Sequence, residues 1–148
     1  MSPLPTLAVL IALTSCVFTC RIYVPDCINE EGRLTDEQRI LAVSKLLSLG
    51  PFSDAEEHQR RYRCEVEKEA GEYLAEDDGT KRVCRPPNKC LYHSEPSGKK
   101  LSFSQFLDNA YEEWKTNVTA MKNSQEGGCN YRKSGKDQEI VCLVRQIR

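Results

Sequence analysis

Cysteine spacing constrains the fold of this chain more than any other feature of its sequence. Eight cysteines occur in 148 residues, a frequency typical of secreted domains that are stabilised by disulfide bonds. Two of them, Cys16 and Cys20, lie within or next to an apolar segment near the N-terminus. The number of cysteines alone does not determine how the other six are connected, although an even number allows all of them to pair. These six are Cys27, Cys64, Cys84, Cys90, Cys129 and Cys142.

The apolar segment near the N-terminus predicts the destination of the protein. Residues 4–18 carry no charge and are mostly leucine, alanine, valine and isoleucine, as in a secretory signal peptide. The segment is shorter than the roughly 20 residues of a transmembrane helix, so an uncleaved membrane anchor is the weaker alternative. We expect residues 1–20 to be a signal peptide and residues 21–148 to form a single secreted domain. Three residues can precede the cleaved bond: Cys16, Thr19 and Cys20.

The balance of charge excludes one class of function. The chain has 21 lysine and arginine residues against 22 aspartate and glutamate residues, which gives a formal net charge of −1. A nucleic-acid-binding domain normally carries a basic surface, so we expect no nucleic-acid partner. With 39% hydrophobic and 29% charged residues, the composition is that of a globular domain.

Three capping boxes predict the starts of three helices. The first joins Thr35 to Gln38, and its helix ends before Gly50; the second begins at Ser53 and the third at Ser102. Apolar residues recur in each helix at steps of three and four, which predicts one buried face per helix. The predicted buried residues are Ile40, Val43, Leu46 and Leu47 in the first helix, Tyr62, Val66, Ala70, Tyr73 and Leu74 in the second, and Phe103, Phe106, Leu107, Ala110, Tyr111, Trp114, Val118 and Met121 in the third.

The remaining segments predict a small sheet. Residues 81–100 contain prolines and a glycine and are predicted to be irregular, and Gly127 and Gly128 are predicted to end the helical region. Two short runs, 129–131 and 140–144, flank a polar turn and predict a β-hairpin. We therefore predict an α+β fold, a small disulfide-stapled domain of three helices with a small antiparallel sheet.

Three stretches, in this order, resemble the CAP superfamily of cysteine-rich secretory proteins, antigen 5 and plant pathogenesis-related proteins. Residues 27–39 include a Thr-Asp-x-x-Arg helix start, and residues 62–67 read Tyr-Arg-Cys-Glu-Val-Glu and are followed by Ala70. The third stretch joins a Gly-Cys pair at 128–129 to Ile-Val-Cys at 140–142. The closest resemblance is to the Ancylostoma-secreted or venom-allergen-like proteins of nematodes.

The resemblance implies a fold, a disulfide pattern and a role. The fold would be a remnant of the α-β-α sandwich of that superfamily, acting outside the cell. Its role would be immune modulation, or capture of a lipid or a host protein, without stable insertion into a membrane. The oligomeric state stays open. Family analogy, together with proximity along the chain, pairs Cys27 with Cys64, Cys84 with Cys90, and Cys129 with Cys142.

The chain also departs from the superfamily. Members carry a His-Asn pair late in the first helix, with Gly-Glu-Asn and Gly-His-Tyr/Phe-Thr-Gln segments further on, which together supply two histidines and two acids to a cleft. Here Leu46 and Leu47 stand in the region of the first histidine, and both later segments are missing. The chain therefore resembles a shortened relative. We expect it to bind neither zinc nor magnesium, and we expect Leu46 to pack against the third helix.

The polar motifs point away from catalysis. His58 and His93 are the only histidines, and neither belongs to a helical pair that could chelate a metal ion. No Gly-x-Ser-x-Gly elbow occurs that would hold a serine nucleophile. We predict no catalytic residue, no cofactor and no metal site, and hence no enzyme. Asn117 begins an Asn-Val-Thr sequon, which predicts N-glycosylation.

Two features keep alternative functions open. The aromatic residues between Phe103 and Trp114 are predicted to form core, with a lipid-binding wall as the alternative. The segment from Cys84 to Cys90 contains two prolines and the basic residues Arg85 and Lys89. Because prolines lower the entropic cost of holding a loop in place, the alternative function is a disulfide-stapled protease inhibitor that presents this loop.

Overall fold

In the residues that it describes, the computed structural model has three α-helices, a short 3-10 helix and three β-strands. We number them α1 (Asp36–Ser48), α2 (Cys64–Ala75), β1 (Lys89–Pro96), α3 (Phe103–Trp114), β2 (Glu126–Lys133) and β3 (Asp137–Arg145), and the 3-10 helix covers Ser97–Lys99. The structure describes residues 25–27, 34–49, 62–76, 84, 86, 88–116, 126–135 and 137–145. The predicted signal peptide, His58, Arg85 and Asn117 lie outside these residues. The predicted α+β class, with three helices and a small antiparallel sheet, is confirmed.

The three strands form an antiparallel sheet in the order β1-β3-β2. The predicted hairpin is present, and its two strands are longer than the apolar runs suggested. Its turn is closed by Ser134, whose backbone N–H donates to the Asp137 carbonyl at 2.8 Å. In this order β3, the last of the described strands in the sequence, is the central strand of the sheet.

Helices cover both faces of the sheet. Side chains alternate along a strand, and on one face Ile140, Cys142 and Val144 of β3 pack with residues of α1 and α3. On the other face, Val141 and Leu143 pack against α2. The result is an α-β-α arrangement with α1 and α3 in one layer and α2 in the other.

The buried face of α1 is rotated from the predicted one. The predicted capping box is present, since the Gln38 backbone N–H donates to Thr35 Oγ1 at 3.3 Å and the Thr35 N–H to Gln38 Oε1 at 3.0 Å. The prediction for Ile40 is wrong, because 43% of this residue is exposed. Its expected place is taken by Arg39, which is fully buried. The buried side of α1 consists of Arg39, Ala42, Val43 and Leu46.

The described helix that carries the second predicted face begins at Cys64. Tyr62 forms a β-bridge with Gly127, and the Arg63 backbone N–H donates to the Gly127 carbonyl at 2.9 Å. A helix continuing through these two residues is therefore wrong, while the capping box at Ser53 lies outside the described residues. The predicted apolar face is otherwise present, with four of its residues buried: Tyr62, Val66, Ala70 and Leu74.

Two predictions for the segments between the helices are wrong. Residues 89–96 of the segment predicted as irregular form β1, and Gly127 and Gly128 lie within β2 instead of ending a helix. Strand β1 was missed because His93 and Glu95 occupy buried positions beside Leu91, which breaks the apolar alternation. Proline is tolerated on an edge strand, and Pro96 stands at the end of this one.

The third helix has its predicted start and a shorter described length. The Gln105 backbone N–H donates to Ser102 Oγ at 3.3 Å, and the Ser102 N–H to Gln105 Oε1 at 3.0 Å. The helix ends at Trp114, while Val118 and Met121 lie outside the described residues. Its fully buried residues are Phe106, Leu107, Ala110 and Trp114.

Gly128 sets the distance between β2 and α2. A Cβ atom at this position would lie 2.6 Å from the Val66 carbonyl carbon and closer still to the Glu67 backbone nitrogen. We expect Gly128→Ala to destabilise the domain by about 1–3 kcal/mol, because the helix must move away from the sheet. Gly135→Ala is the matched control, since a Cβ atom there would meet nothing within 4 Å. Urea unfolding of both variants tests this, and equal midpoints would contradict it.

Candidate functional site

The residues that carry the resemblance form a buried ion pair. The Arg39 guanidinium on α1 donates two hydrogen bonds to the Glu67 carboxylate on α2, at 2.7 and 2.8 Å. Both side chains are fully buried. Arg39 also donates to Asp36 Oδ1 at 2.7 Å and to the Leu34 carbonyl at 2.9 Å. The motif arginine and the motif glutamate therefore hold α1 against α2.

Tyr62 connects this ion pair to the sheet. Its hydroxyl donates to Glu67 Oε2 at 2.7 Å and accepts from the Cys129 backbone N–H at 3.3 Å. Burial, together with the neighbouring Glu67 carboxylate, raises the pKa of Tyr62 well above its usual value. The hydrogen bond to Glu67 raises the pKa of Arg39, although burial lowers it. Tyr62 thus stays neutral and Arg39 stays charged, and this network has a structural role.

Three disulfide bonds join the six described cysteines. They link Cys27 to Cys64, Cys84 to Cys90 and Cys129 to Cys142, with Cα–Cα distances of 5.3, 5.6 and 4.0 Å. These are the pairs that the resemblance implied. Cys129 and Cys142 lie directly opposite each other on the hairpin. None of the described cysteines therefore offers a thiolate for catalysis.

His93 lies between two carboxylates at the junction of β1 and α3. Its Nδ1 is 2.6 Å from Glu113 Oε2, and its Nε2 is 3.2 Å from Glu95 Oε1. Burial raises the pKa of Glu95, but hydrogen bonds from Asn109 and His93 and the charge of Lys99 outweigh it, so the net pKa is lowered. Within the described ranges, no group of three histidine, cysteine or acidic residues is arranged to hold a metal ion.

A groove of about 120 Å³ lies between α2 and the disulfide-bonded turn before β1. Leu143 and Cys84 form its apolar part, and three glutamates surround it. On one side Glu69 accepts from Arg145 at 2.9 and 3.1 Å and from the Asn88 amide at 3.3 Å. The residues lining the groove are Glu69, Glu72, Tyr73, Glu76, Cys84, Asn88 and Leu143.

The rim of the groove is acidic and open to solvent. Glu72 and Glu76 are exposed, one turn apart. Arg145 compensates the charge of Glu69 and also contacts Glu126 at 3.1 Å. Burial lowers the pKa of Arg145, but its bonds to these two carboxylates raise it overall. The groove thus combines an apolar floor with carboxylates at its edge.

A match to a family model shows the family to which the chain belongs. The family model of Ancylostoma-associated secreted protein related proteins matches residues 29–144. The chain belongs to this family. The curated proteins and the solved structures contain no match to the chain.

Family membership agrees with the chemistry of the domain. Three disulfide bonds require an oxidising environment, and together with this family they indicate a CAP-like extracellular protein. Of the described helices, none has the length and apolar character needed to cross a membrane. The α-β-α arrangement is thus the fold of the described part of this member of the Ancylostoma-associated secreted protein related family.

Sequence reasoning missed the groove. Leu143, which forms part of its apolar lining, is far in sequence from the glutamates of α2. A signal was present in the spacing of Glu69, Glu72 and Glu76, which lie at steps of three and four residues and so share one side of a helix.

Proposed function

We propose that this Ancylostoma-associated secreted protein related protein captures an extracellular protein and that the groove beside α2 receives a lysine or arginine side chain of that partner. The observation that carries this proposal is the chemistry of the groove. Its apolar lining at Leu143 and Cys84 suits the methylene stem of a basic side chain. Its exposed glutamates suit the charged end.

The size of the groove favours a side chain over a lipid. Pockets for drug-sized ligands occupy roughly 300–1,000 Å³, whereas this groove encloses about 120 Å³. Of the aromatic residues that would line a lipid site, Phe106 and Trp114 belong to the core and are at most 1% exposed. The described part of the domain thus supports protein capture better than lipid capture.

Capture without catalysis is part of the same proposal. The cysteines described are all in disulfide bonds, and both ring nitrogens of His93 face carboxylates. We further propose that residues 1–20 direct secretion and that Asn117 carries a glycan. The partner would then be a protein of the host or of the surrounding medium, and immune modulation would follow from its capture.

The alternative role as a protease inhibitor has less support. Lys89 belongs to β1, where it pairs with Val144 of β3, and a strand held in a sheet is not free to enter a protease cleft. Arg85 lies outside the described residues. Protein capture through the groove is therefore the function we favour.

Removing the charge at the rim is expected to weaken binding to basic protein segments. An arginine-rich peptide serves as the probe, and fluorescence anisotropy at physiological salt measures its dissociation constant. We expect the double variant Glu72→Gln/Glu76→Gln to bind it about tenfold more weakly, a loss of about 1.4 kcal/mol. An acidic peptide of the same length should not bind.

A charge-matched variant separates the groove from the charge of the whole protein. Glu65 and Glu112 are exposed and do not line the groove, so Glu65→Gln/Glu112→Gln changes the net charge equally. This control should bind like the unmodified protein. The proposal fails if both double variants lose the same affinity, or if the unmodified protein does not bind the basic peptide.

A further inference from the structure

A neutral imidazole cannot make both contacts of the His93 ring as hydrogen bonds. Each ring nitrogen lies within hydrogen-bonding distance of a carboxylate oxygen, at 2.6 Å for Glu113 and 3.2 Å for Glu95. An ionised carboxylate only accepts hydrogen bonds, and neutral imidazole carries a single N–H. Both contacts are hydrogen bonds only when both ring nitrogens are protonated, that is, in the imidazolium.

The charges around His93 agree with this state. Glu95 and Glu113 supply two negative charges, and the Lys99 ammonium, 3.5 Å from Glu95 Oε2, supplies one positive charge. A protonated His93 makes the cluster neutral. The side chains of His93 and Glu95 are each only 9% exposed, so an uncompensated charge would be costly there.

The other groups around His93 do not change this balance. From α3, Asn109 donates to Glu95 Oε1 at 2.7 Å, and the Phe106 ring lies 5.1 Å from the imidazole. From β3, Gln138 stands opposite Glu95, and from β2 the Tyr131 hydroxyl donates to Gln138. Burial raises the pKa of Tyr131, so this phenol stays neutral.

The contact with Glu113 places His93 at the C-terminal end of α3. Glu113 belongs to the last turn of α3, and the C-terminal end of a helix attracts positive charge. The same turn is held to β1 by Trp114, whose indole N–H donates to the Tyr92 carbonyl at 3.2 Å. In the described sheet, β1 is an edge strand that pairs only with β3. Its contacts with α3 therefore give it support beyond that single neighbouring strand.

We propose that His93 is a proton-operated clasp that fastens α3 to the edge strand β1. The protonated ring joins Glu95 of the strand to Glu113 of the helix. Loss of the proton removes one of the two hydrogen bonds, and Lys99 is then the counterion that the described residues offer to the two carboxylates. Because both hydrogen bonds require a proton on each ring nitrogen, the clasp is complete at mildly acidic pH, and its contribution to stability is lost as the pH rises.

The composition of the chain makes this testable with few variants. It has only two histidines, His58 and His93, and a single tryptophan, Trp114, which lies at the clasp. Histidine is the side chain that ordinarily titrates between about pH 5 and 8. We expect the equilibrium constant for urea unfolding to increase about tenfold from pH 5.5 to pH 8, and the emission of Trp114 in the folded protein to change over the same range.

Three substitutions decide the origin of this pH dependence. His93→Gln should abolish both the change in the unfolding constant and the change in emission, whereas His58→Gln should retain both. Glu113→Gln should reduce both changes, and since this side chain is 56% exposed the variant should fold even if the His93 variant does not. A pH dependence that survives Glu113→Gln undiminished, or one that is lost in His58→Gln, would overturn the proposal.

Discussion

Replacing Glu67 by leucine is expected to destabilise the domain by about 3–5 kcal/mol, the usual cost of breaking a buried ion pair from one side. The Arg39 guanidinium would stay in the interior with only Asp36 and a backbone carbonyl as partners. The Tyr62 hydroxyl would lose its carboxylate acceptor as well. Urea unfolding followed by circular dichroism gives the change in the free energy of unfolding.

The double variant Arg39→Met/Glu67→Leu shows whether the uncompensated charge causes this loss. Replacing a whole buried ion pair by apolar residues of similar volume is often neutral or stabilising. We therefore expect the double variant to recover most of the stability that Glu67→Leu loses. A double variant as unstable as the single one would show that the pair contributes through its shape or its hydrogen bonds to α1.

Replacing Leu46 by aspartate is expected to cost about 3–5 kcal/mol, because an unpaired charge would enter the apolar core. Leu46 is 4% exposed and belongs to the cluster formed by α1, α3 and the sheet. The matched control is Leu41→Asp, which changes an exposed leucine of the same helix and should cost less than about 1 kcal/mol. Thermal unfolding of both variants tests this, and similar losses would contradict the assigned face of α1.

Local patterns predicted the parts of the fold that depend on neighbouring residues. The boxes at Thr35 and Ser102 are satisfied within one turn of chain, so short sequence windows contain the necessary information. The prediction of the buried face of α1 was wrong for the opposite reason. Arg39 is buried only because Glu67, 28 residues away, neutralises it, and a pattern of hydrophobic residues assigns such an arginine to the surface.

The same limitation explains why the edge strand and the candidate site were not predicted. In β1, the buried His93 and Glu95 depend on Glu113 and Asn109 of a later helix. The groove needs Leu143 of β3 beneath glutamates of α2. In each case a polar residue contributes to the fold or to the site through its position beside a residue that is distant in sequence. Such pairs become visible once the chain is folded.

The strand order also determines when the sheet can form during synthesis. Strand β3 joins β1 to β2 and follows all the other described elements in the chain. Until it leaves the ribosome, β1 has no partner strand, and the thiol of Cys129 has no Cys142 to meet. The other two described disulfide bonds lie within residues 27–90, so their cysteines precede both thiols of the hairpin along the chain. We therefore expect the bond between Cys129 and Cys142 to be the last of the three to form, with thiol–disulfide exchange as the route by which any earlier mispairing is corrected.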